Sequence, residues 1–180
     1  MKKLLFVPAA LLGIFFISCN NNAAGPSATT QKNLDAMHGV QQAFDKKDFS
    51  KVGDYIAEDA VDHAGEQGDI KGLANIKAQF EKWAAGSEND KSVTTKEMAD
   101  DDYVMSWAKY SGTSKTASMG VKPGEHFEME AVEVCKFKDG KITDHWSFVN
   151  PKNMMKMMGN MQQPMPMPAD STRKDTAKKM

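Results

Sequence analysis

Asp139-Gly140 stands between two runs in which apolar and polar residues alternate, residues 127–138 and 141–149. An Asp-Gly pair in this setting signals a two-residue hairpin, because its turn needs positive φ at both positions and matches the twist of the flanking strands. Such a turn sets a register. Lys138 faces Lys141 and, in an unbroken ladder, Phe137 faces Ile142, Cys135 faces Asp144, Val134 faces His145 and Glu133 faces Trp146. Alternation then puts Phe127, Met129, Ala131, Glu133, Cys135, Phe137, Ile142, Asp144, Trp146 and Phe148 on one apolar face. Two carboxylates interrupt that face, Glu133 in mid-strand and Asp144 nearer the turn. An acid placed there must be paired, protonated or turned to a cavity. Desolvation against the Trp146 indole would raise the Glu133 pKa and suit it to general acid or base work, which makes Glu133 the candidate catalytic residue. The alternative is a bulge that turns Glu133 outward, or a structural partner. The same ladder sends His145 to the opposite face, so a direct Glu133–His145 pair requires a bulge.

Upstream of the hairpin the period changes. Leu34, Met37, Val40 and Phe44 recur at helical spacing. Asp48 is placed to cap a second helix with Phe49, Val52 and Ile56 on one face. A third helix carries Leu73, Ile76, Phe80 and Trp83 and stops at Gly86. Residues 60–64 between them read as a short strand or extended loop. Strands follow at 93–98 and 103–113, with a further one at 114–119. Helices first and an antiparallel sheet after them give an α+β fold with three N-terminal helices on a mostly antiparallel sheet. The chain has 180 residues with 41% hydrophobic content, enough for one domain over residues 32–153.

The ends of the chain differ from its middle. Net charge is −1 overall, +2 in residues 1–18 and +3 in residues 154–180, which leaves −6 between them. An acidic central domain argues against nucleic-acid binding. Lys2 and Lys3 followed by an apolar run over residues 4–17 read as a signal peptide covering residues 1–18, too short to span a bilayer. The run closes on Phe16-Ile17-Ser18-Cys19, which resembles the lipobox of bacterial lipoproteins, where the cysteine becomes the lipidated N-terminus. That resemblance implies lipidation of Cys19 and a membrane partner reached through acyl chains. Asn20 after the cysteine points to the outer membrane of the cell envelope, facing the periplasm. Residues 20–31 form a small, polar tether. Residues 154–180 hold seven methionines between Met154 and Met167, three prolines and a Lys-rich finish, a composition expected of a disordered tail.

The stretch Glu133-Val-Cys-Lys-Phe-Lys-Asp-Gly-Lys-Ile-Thr-Asp-His-Trp146 resembles the closing hairpin of SnoaL-like polyketide cyclases, of the nuclear-transport-factor-two-like superfamily. The family places an acid six residues before an Asp-Gly-Lys-Ile turn and ends on Glu-His-Trp. Asp62-His63 and Gly72 resemble its earlier segment. The resemblance implies a cone of three helices and a strongly curved sheet around a pocket. It implies that Glu133 stands where the cyclases carry an aspartate that works as acid and base in an aldol ring closure through an enolate. It also implies that His63 lines the pocket, and that the outer sheet face, with Val132, Val134, His145 and Val149, forms a homodimer. Tyr103 and Trp107 share one parity on the central strand and are candidate lining residues, with Asp144 and Trp146.

Three function classes follow. The first is an enzyme that moves a proton with Glu133 on a hydrophobic, carbonyl-containing small molecule. It would work without a cofactor, since the sequence has no glycine-rich phosphate loop and no His-x-x-x-His metal motif. The second is a non-catalytic module that holds an apolar ligand at the membrane, a reading that export and anchoring favour. The third is Cu(I) binding by the soft thioethers of the Met-rich tail, against which stands the lack of accompanying Cys or His. Two cysteines, Cys19 and Cys135, make neither a disulfide framework nor a metal site.

Overall fold

The computed structural model describes residues 25–65, 67–117 and 121–155. The signal peptide, Cys19 and the tail beyond Met155 lie outside them. Ser27 opens α1 (Ala28–Lys46) by accepting the Thr30 amide at 3.0 Å, satisfying one of the free N–H groups of the first turn. Residues 28–31, expected in the tether, are therefore helical. Lys47 closes the helix in the left-handed conformation with φ of 51°. A short 3₁₀ turn (Val52–Asp54) follows, then β1 (Ile56–Asp62), the two-residue β2 (Ile70–Lys71) and α2 (Leu73–Ala85). Four long strands complete the fold: β3 (Ser87–Ala99), β4 (Tyr103–Ser114), β5 (His126–Lys138) and β6 (Lys141–Val149).

The α+β class holds, with one sheet of order β2-β1-β6-β5-β4-β3 that is antiparallel except where β1 runs parallel to β6. The expected second helix is reduced to the 3₁₀ turn at Val52–Asp54. Asp48 caps only a turn, accepting the Ser50 amide at 3.0 Å, and Ile56 opens β1 instead of lining a helix. β-branched Ile56 and Val61 suit a strand better than a helix. Residues 115–117 form bends, so within the described residues no strand continues past Ser114.

Ile76, Phe80 and Ala84 of α2 are buried, together with Ala36 and Ala43 of α1. They meet Val104, Cys135, Phe137 and Ile142 of the sheet in one apolar core. Phe44, Phe49 and Phe80 pack ring against ring, with centroids 4.7 to 5.9 Å apart. The sheet face that carries this core is called inner below. Toward β3, α1 is held by polar contacts instead: Asn33 Nδ2 donates to the Asp101 carbonyl at 2.9 Å, His38 meets Glu97 at 2.9 Å, and Lys47 meets Asp90 at 2.9 Å.

The closing hairpin forms the expected turn. Asp139 and Gly140 have φ of 56° and 77°, and Lys138 faces Lys141 and Phe137 faces Ile142. Beyond that pair the unbroken ladder fails. Lys136 faces Asp144, Cys135 faces His145, Val134 faces Trp146 and Glu133 faces Ser147, so Thr143 is one residue in excess. The Thr143 hydroxyl donates to Asp144 Oδ2 at 2.9 Å within this β-bulge. Since side chains alternate with period two, one extra residue exchanges the two faces of everything after it.

Candidate functional site

Three features meet on the inner face. First, His145 turns inward, on the side opposite to the one an unbroken ladder assigns. Second, β1 lies parallel to β6 with Asp62 beside His145. Third, Glu133 keeps its inward parity on β5, with Ser106 of β4 and Ser147 of β6 as its cross-strand neighbours. The result is a chain of charges. His145 Nδ1 lies 2.9 Å from Asp62 Oδ1, and His145 Nε2 lies 3.0 Å from Glu133 Oε2. The Ala64 amide donates to the same Asp62 oxygen at 2.9 Å. Tyr110, inward on β4, hydrogen-bonds Glu133.

Burial grades along this chain. Asp62 is 1% exposed, while the side chains of Glu133 and His145 keep 14% and 24% of their surface. Glu133 and His145 therefore remain open to solvent from the inner face. Burial alone would lower the His145 pKa, but the bonds and charges of Asp62 and Glu133 overcome it and push it up to about 9. Burial would raise Asp62, yet the His145 hydrogen bond and charge hold it below its ordinary value. Burial, then the Glu133 charge, drive the Tyr110 phenol upward, and burial with the same charges does so for the Cys135 thiol. At neutral pH the site is thus an imidazolium between two carboxylates, with a neutral phenol and an inert thiol beside it.

The structure separates the residues that the sequence grouped. Glu133 is on the inner face as expected, but its neighbour is His145 and not the Trp146 indole. Asp144 and Trp146, expected inward, turn outward because Thr143 is in excess. There His63 stacks on Trp146, with centroids 4.8 Å apart and planes 12° from parallel. Its ring nitrogens lie 3.1 Å from Asp69 and 3.2 Å from Asp144, and those carboxylates raise its pKa against the opposing effect of burial. His63 therefore lines the outer face rather than the inner one. Tyr103 and Trp107 are also outward and exposed, because buried Val104, Ser106 and Ala108 take the inner parity of β4. Trp107 donates to Glu130 Oε1 at 2.9 Å on that outer side. Of the outer-face set implied by the resemblance, Val132 and Val134 share the parity of Trp146 and Phe148, whereas His145 and Val149 take the inner parity.

Asp62, His145 and Tyr110 are the site residues that periodicity did not single out. One signal for the first two was present: Asp62-His63 and Asp144-His145 repeat one dipeptide on strands that pair in parallel. Two surface hollows elsewhere, one lined by Ser27, Thr30 and residues 100–102 and one by Lys47, Phe49 and Lys77, contain none of these residues. Among the described residues no group of three His, Cys, Asp or Glu side chains is placed to hold a metal ion.

A family model for the SnoaL-like polyketide cyclases matches residues 34–158, from α1 through the whole sheet. This chain belongs to the SnoaL-like polyketide cyclase family. Solved structures agree with the SnoaL-like assignment at the level of the fold. IdmH of Streptomyces antibioticus, a proposed polyketide cyclase, is 25% identical, with TM-score 0.59 over 71% of this chain and 98% of its own. A SnoaL-like polyketide cyclase of Agrobacterium tumefaciens is 14% identical, with TM-score 0.61 over 71% of this chain and 98% of its own. An LEH-like epoxide hydrolase of M. tuberculosis is 15% identical, with TM-score 0.59 over 73% of this chain and 93% of its own. No curated relative matches the chain. The SnoaL-like domain is accordingly a small-molecule-binding fold, and the Asp62–His145–Glu133 chain is its most developed polar feature among the described residues.

The raised His145 pKa makes stability depend on pH. A cationic group held above its unfolded value of 6.5 stabilises the fold fully below that pH and stops doing so as pH rises through about 9. Asp62, held low, acts at the opposite end: its contribution is present above 3.8 and is lost as pH falls through its lower folded value. Urea unfolding at intervals from pH 6 to pH 10 should show a loss of about 3 kcal/mol attributable to His145, as its pKa stands at about 9 in the fold against 6.5 unfolded. His145→Gln should be less stable at pH 6 and should lose most of that slope, leaving the smaller share of His63. A slope unchanged by the substitution would mean that His145 is not held between the carboxylates.

Proposed function

We propose that this chain is a lipid-anchored protein of the bacterial envelope whose SnoaL-like domain holds a small hydrophobic molecule against the inner face of the sheet. Glu133 is the residue that takes the ligand's proton or hydrogen bond. The observation that carries the reading is a partly open, charged cluster set into an otherwise apolar face. A purely structural element would close such a cluster off or replace it with apolar side chains, which is often neutral or stabilising. Glu133 is fixed by His145 and Tyr110, so its orientation is settled before a ligand arrives, as acid–base work also requires. Cofactor-independent isomerase- or cyclase-like proton transfer through Glu133 is the catalytic form of the same proposal.

The three tryptophans separate the two faces and give a direct test. Trp83 packs against the core from α2, while Trp107 and Trp146 lie on the outer face. In a screen of apolar ketones, alcohols, amines and acids, ligands should shift the indole N–H resonance of Trp83 and leave those of Trp107 and Trp146 in place. Glu133→Gln should weaken the best ligand about tenfold, the value of one hydrogen bond to a charged group at roughly 1.5 kcal/mol. Ligands that move only the outer-face indoles would overturn the proposal.

The anchor rests on the Phe16-Ile17-Ser18-Cys19 sequence and on the −6 charge of the middle of the chain, which an anionic membrane surface does not attract. Cys19→Ala should move the protein from the membrane fraction to the soluble periplasmic fraction. Retention in the membrane would sink the lipoprotein reading.

The outer face supports a second copy as partner. Met98, Met105, Val134 and Trp146 form one cross-strand row, and Trp107, Val132 and Phe148 form the next, with Phe148 60% exposed. Apolar rows across four strands are unusual for a face left to solvent. Light scattering at micromolar concentration should show a dimer, and Val134→Lys should leave a folded monomer. A monomeric wild-type protein under the same conditions would remove this part of the reading.

A further inference from the structure

The inner-face cluster is rich in acceptors and short of donors. Asp62 and Glu133 bring four carboxylate oxygens to it. The donors that meet them are the two nitrogens of His145, the Ala64 amide and the Tyr110 hydroxyl. None of these is left free for a ligand. Asp62 Oδ2, on a side chain 1% exposed, has no hydrogen-bond partner at all among the described residues. Ser106 and Ser147 flank Glu133 on either side, but a hydroxyl brings no charge. Among the described residues no Lys or Arg side chain pairs with either carboxylate; Lys47 is taken by Asp90, Lys32 by the Asp139 carbonyl and Lys141 by the Gly53 carbonyl. Two carboxylates therefore share one cation, and the cluster carries one net negative charge on an apolar face.

That balance discriminates between ligand classes. A carboxylate or an enolate would bring a second negative charge to a site whose remaining donors, the hydroxyls of Ser106 and Ser147, carry no charge to meet it. A neutral ketone offers only an acceptor, where acceptors are already in excess. A protonated amine supplies what is missing, a positive charge and N–H donors in a region of reduced dielectric. We propose that the ligand of this site is a cationic amine on an apolar body, with its ammonium group at Glu133 and the uncompensated charge of Asp62 behind His145 adding to the attraction. This rests on the reading of the inner face as the binding site and names the ligand class for it. It also departs from the enolate chemistry that the resemblance to the cyclases implies, because Glu133 then holds a proton on nitrogen where a cyclase would remove one from carbon.

Four probes of one skeleton test it on the full chain: naphthylmethylamine, naphthylmethanol, methyl naphthyl ketone and naphthylacetate. Isothermal titration at pH 7, with the Trp83 indole resonance as the monitor of place, should rank the amine at least tenfold tighter than the alcohol and ketone, with the acetate weakest. Glu133→Gln and Asp62→Asn should each weaken the amine several-fold and the alcohol much less, so that the gap between the two probes narrows. Melting curves of both variants establish that they fold. Should one of them fail to fold, the other carries the comparison. Equal binding of amine and alcohol, with Trp83 shifted, would overturn the amine assignment and leave the inner-face site standing. Binding of none of the four at millimolar concentration would overturn both.

Discussion

One extra residue in a strand decides the chemistry of this protein. Without the bulge at Thr143, the β5–β6 ladder would continue in register from Phe137–Ile142, and the inner face would receive Asp144, Trp146 and Phe148. With it, the inner face receives His145 and Ser147, and two aromatic rings pass to the other side. The turn alone cannot set this, because it fixes register only as far as the ladder is unbroken. Past an irregularity of β1 between Ile56 and Val61, Asp62 and His145 are partners across a parallel pair. The local geometry of one residue is thus upstream of the whole charge cluster.

That cluster constrains the rest of the fold in turn. A histidine 2.9 and 3.0 Å from two carboxylates is held in its charged form, and an imidazolium left beside apolar core residues without them would be strongly unfavourable. Asp62 is the anchor of the arrangement. It is buried, it is bonded to both His145 and the Ala64 amide, and its lowered pKa keeps the negative charge in place. Glu133 is the other end, partly open where Asp62 is closed. Because His145 donates to both, moving either acid changes the charge state of the ring and so the orientation of the other. The three residues act as one unit, and the effects of substituting them will not add.

The fold class was legible because it depends on features that survive small errors of register. The Asp139-Gly140 turn, the span of β6 and the helical spacing of Ile76 and Phe80 all appear in the structure where the residues put them. The expected second helix was misread because Asp48 and Phe49 suit a cap and a first turn, while the β-branched residues after them continue as a strand. The site was less legible, and for a specific reason. Alternation assigns faces by hydrophobicity, and the two large aromatic residues of β6, Trp146 and Phe148, lie outward. Tyr103 and Trp107 were drawn to the interior by the same preference for aromatic rings, and His63 by the resemblance to the cyclases. Glu133 was found because it is polar at an inward position of β5, a strand that pairs with β4 without a break.

The outward aromatics and the inward charges have a single cause. Reversing the parity of β6 after Thr143 sends polar side chains to the inner side and apolar ones to the far side, so a polar site and an apolar outer face arise together. Two copies of Asp-His then serve opposite faces: Asp62 and His145 pair inside, while His63 and Asp144 pair outside beneath the Trp146 ring. Each strand contributes its acid to one face and its histidine to the other, so neither dipeptide can be altered without touching both. A substitution at Asp144 meant to probe the outer face would also act on the bulge that it shares with Thr143, and through the bulge on the position of His145. The two faces of the sheet are joined mechanically at this point, whatever occupies either of them.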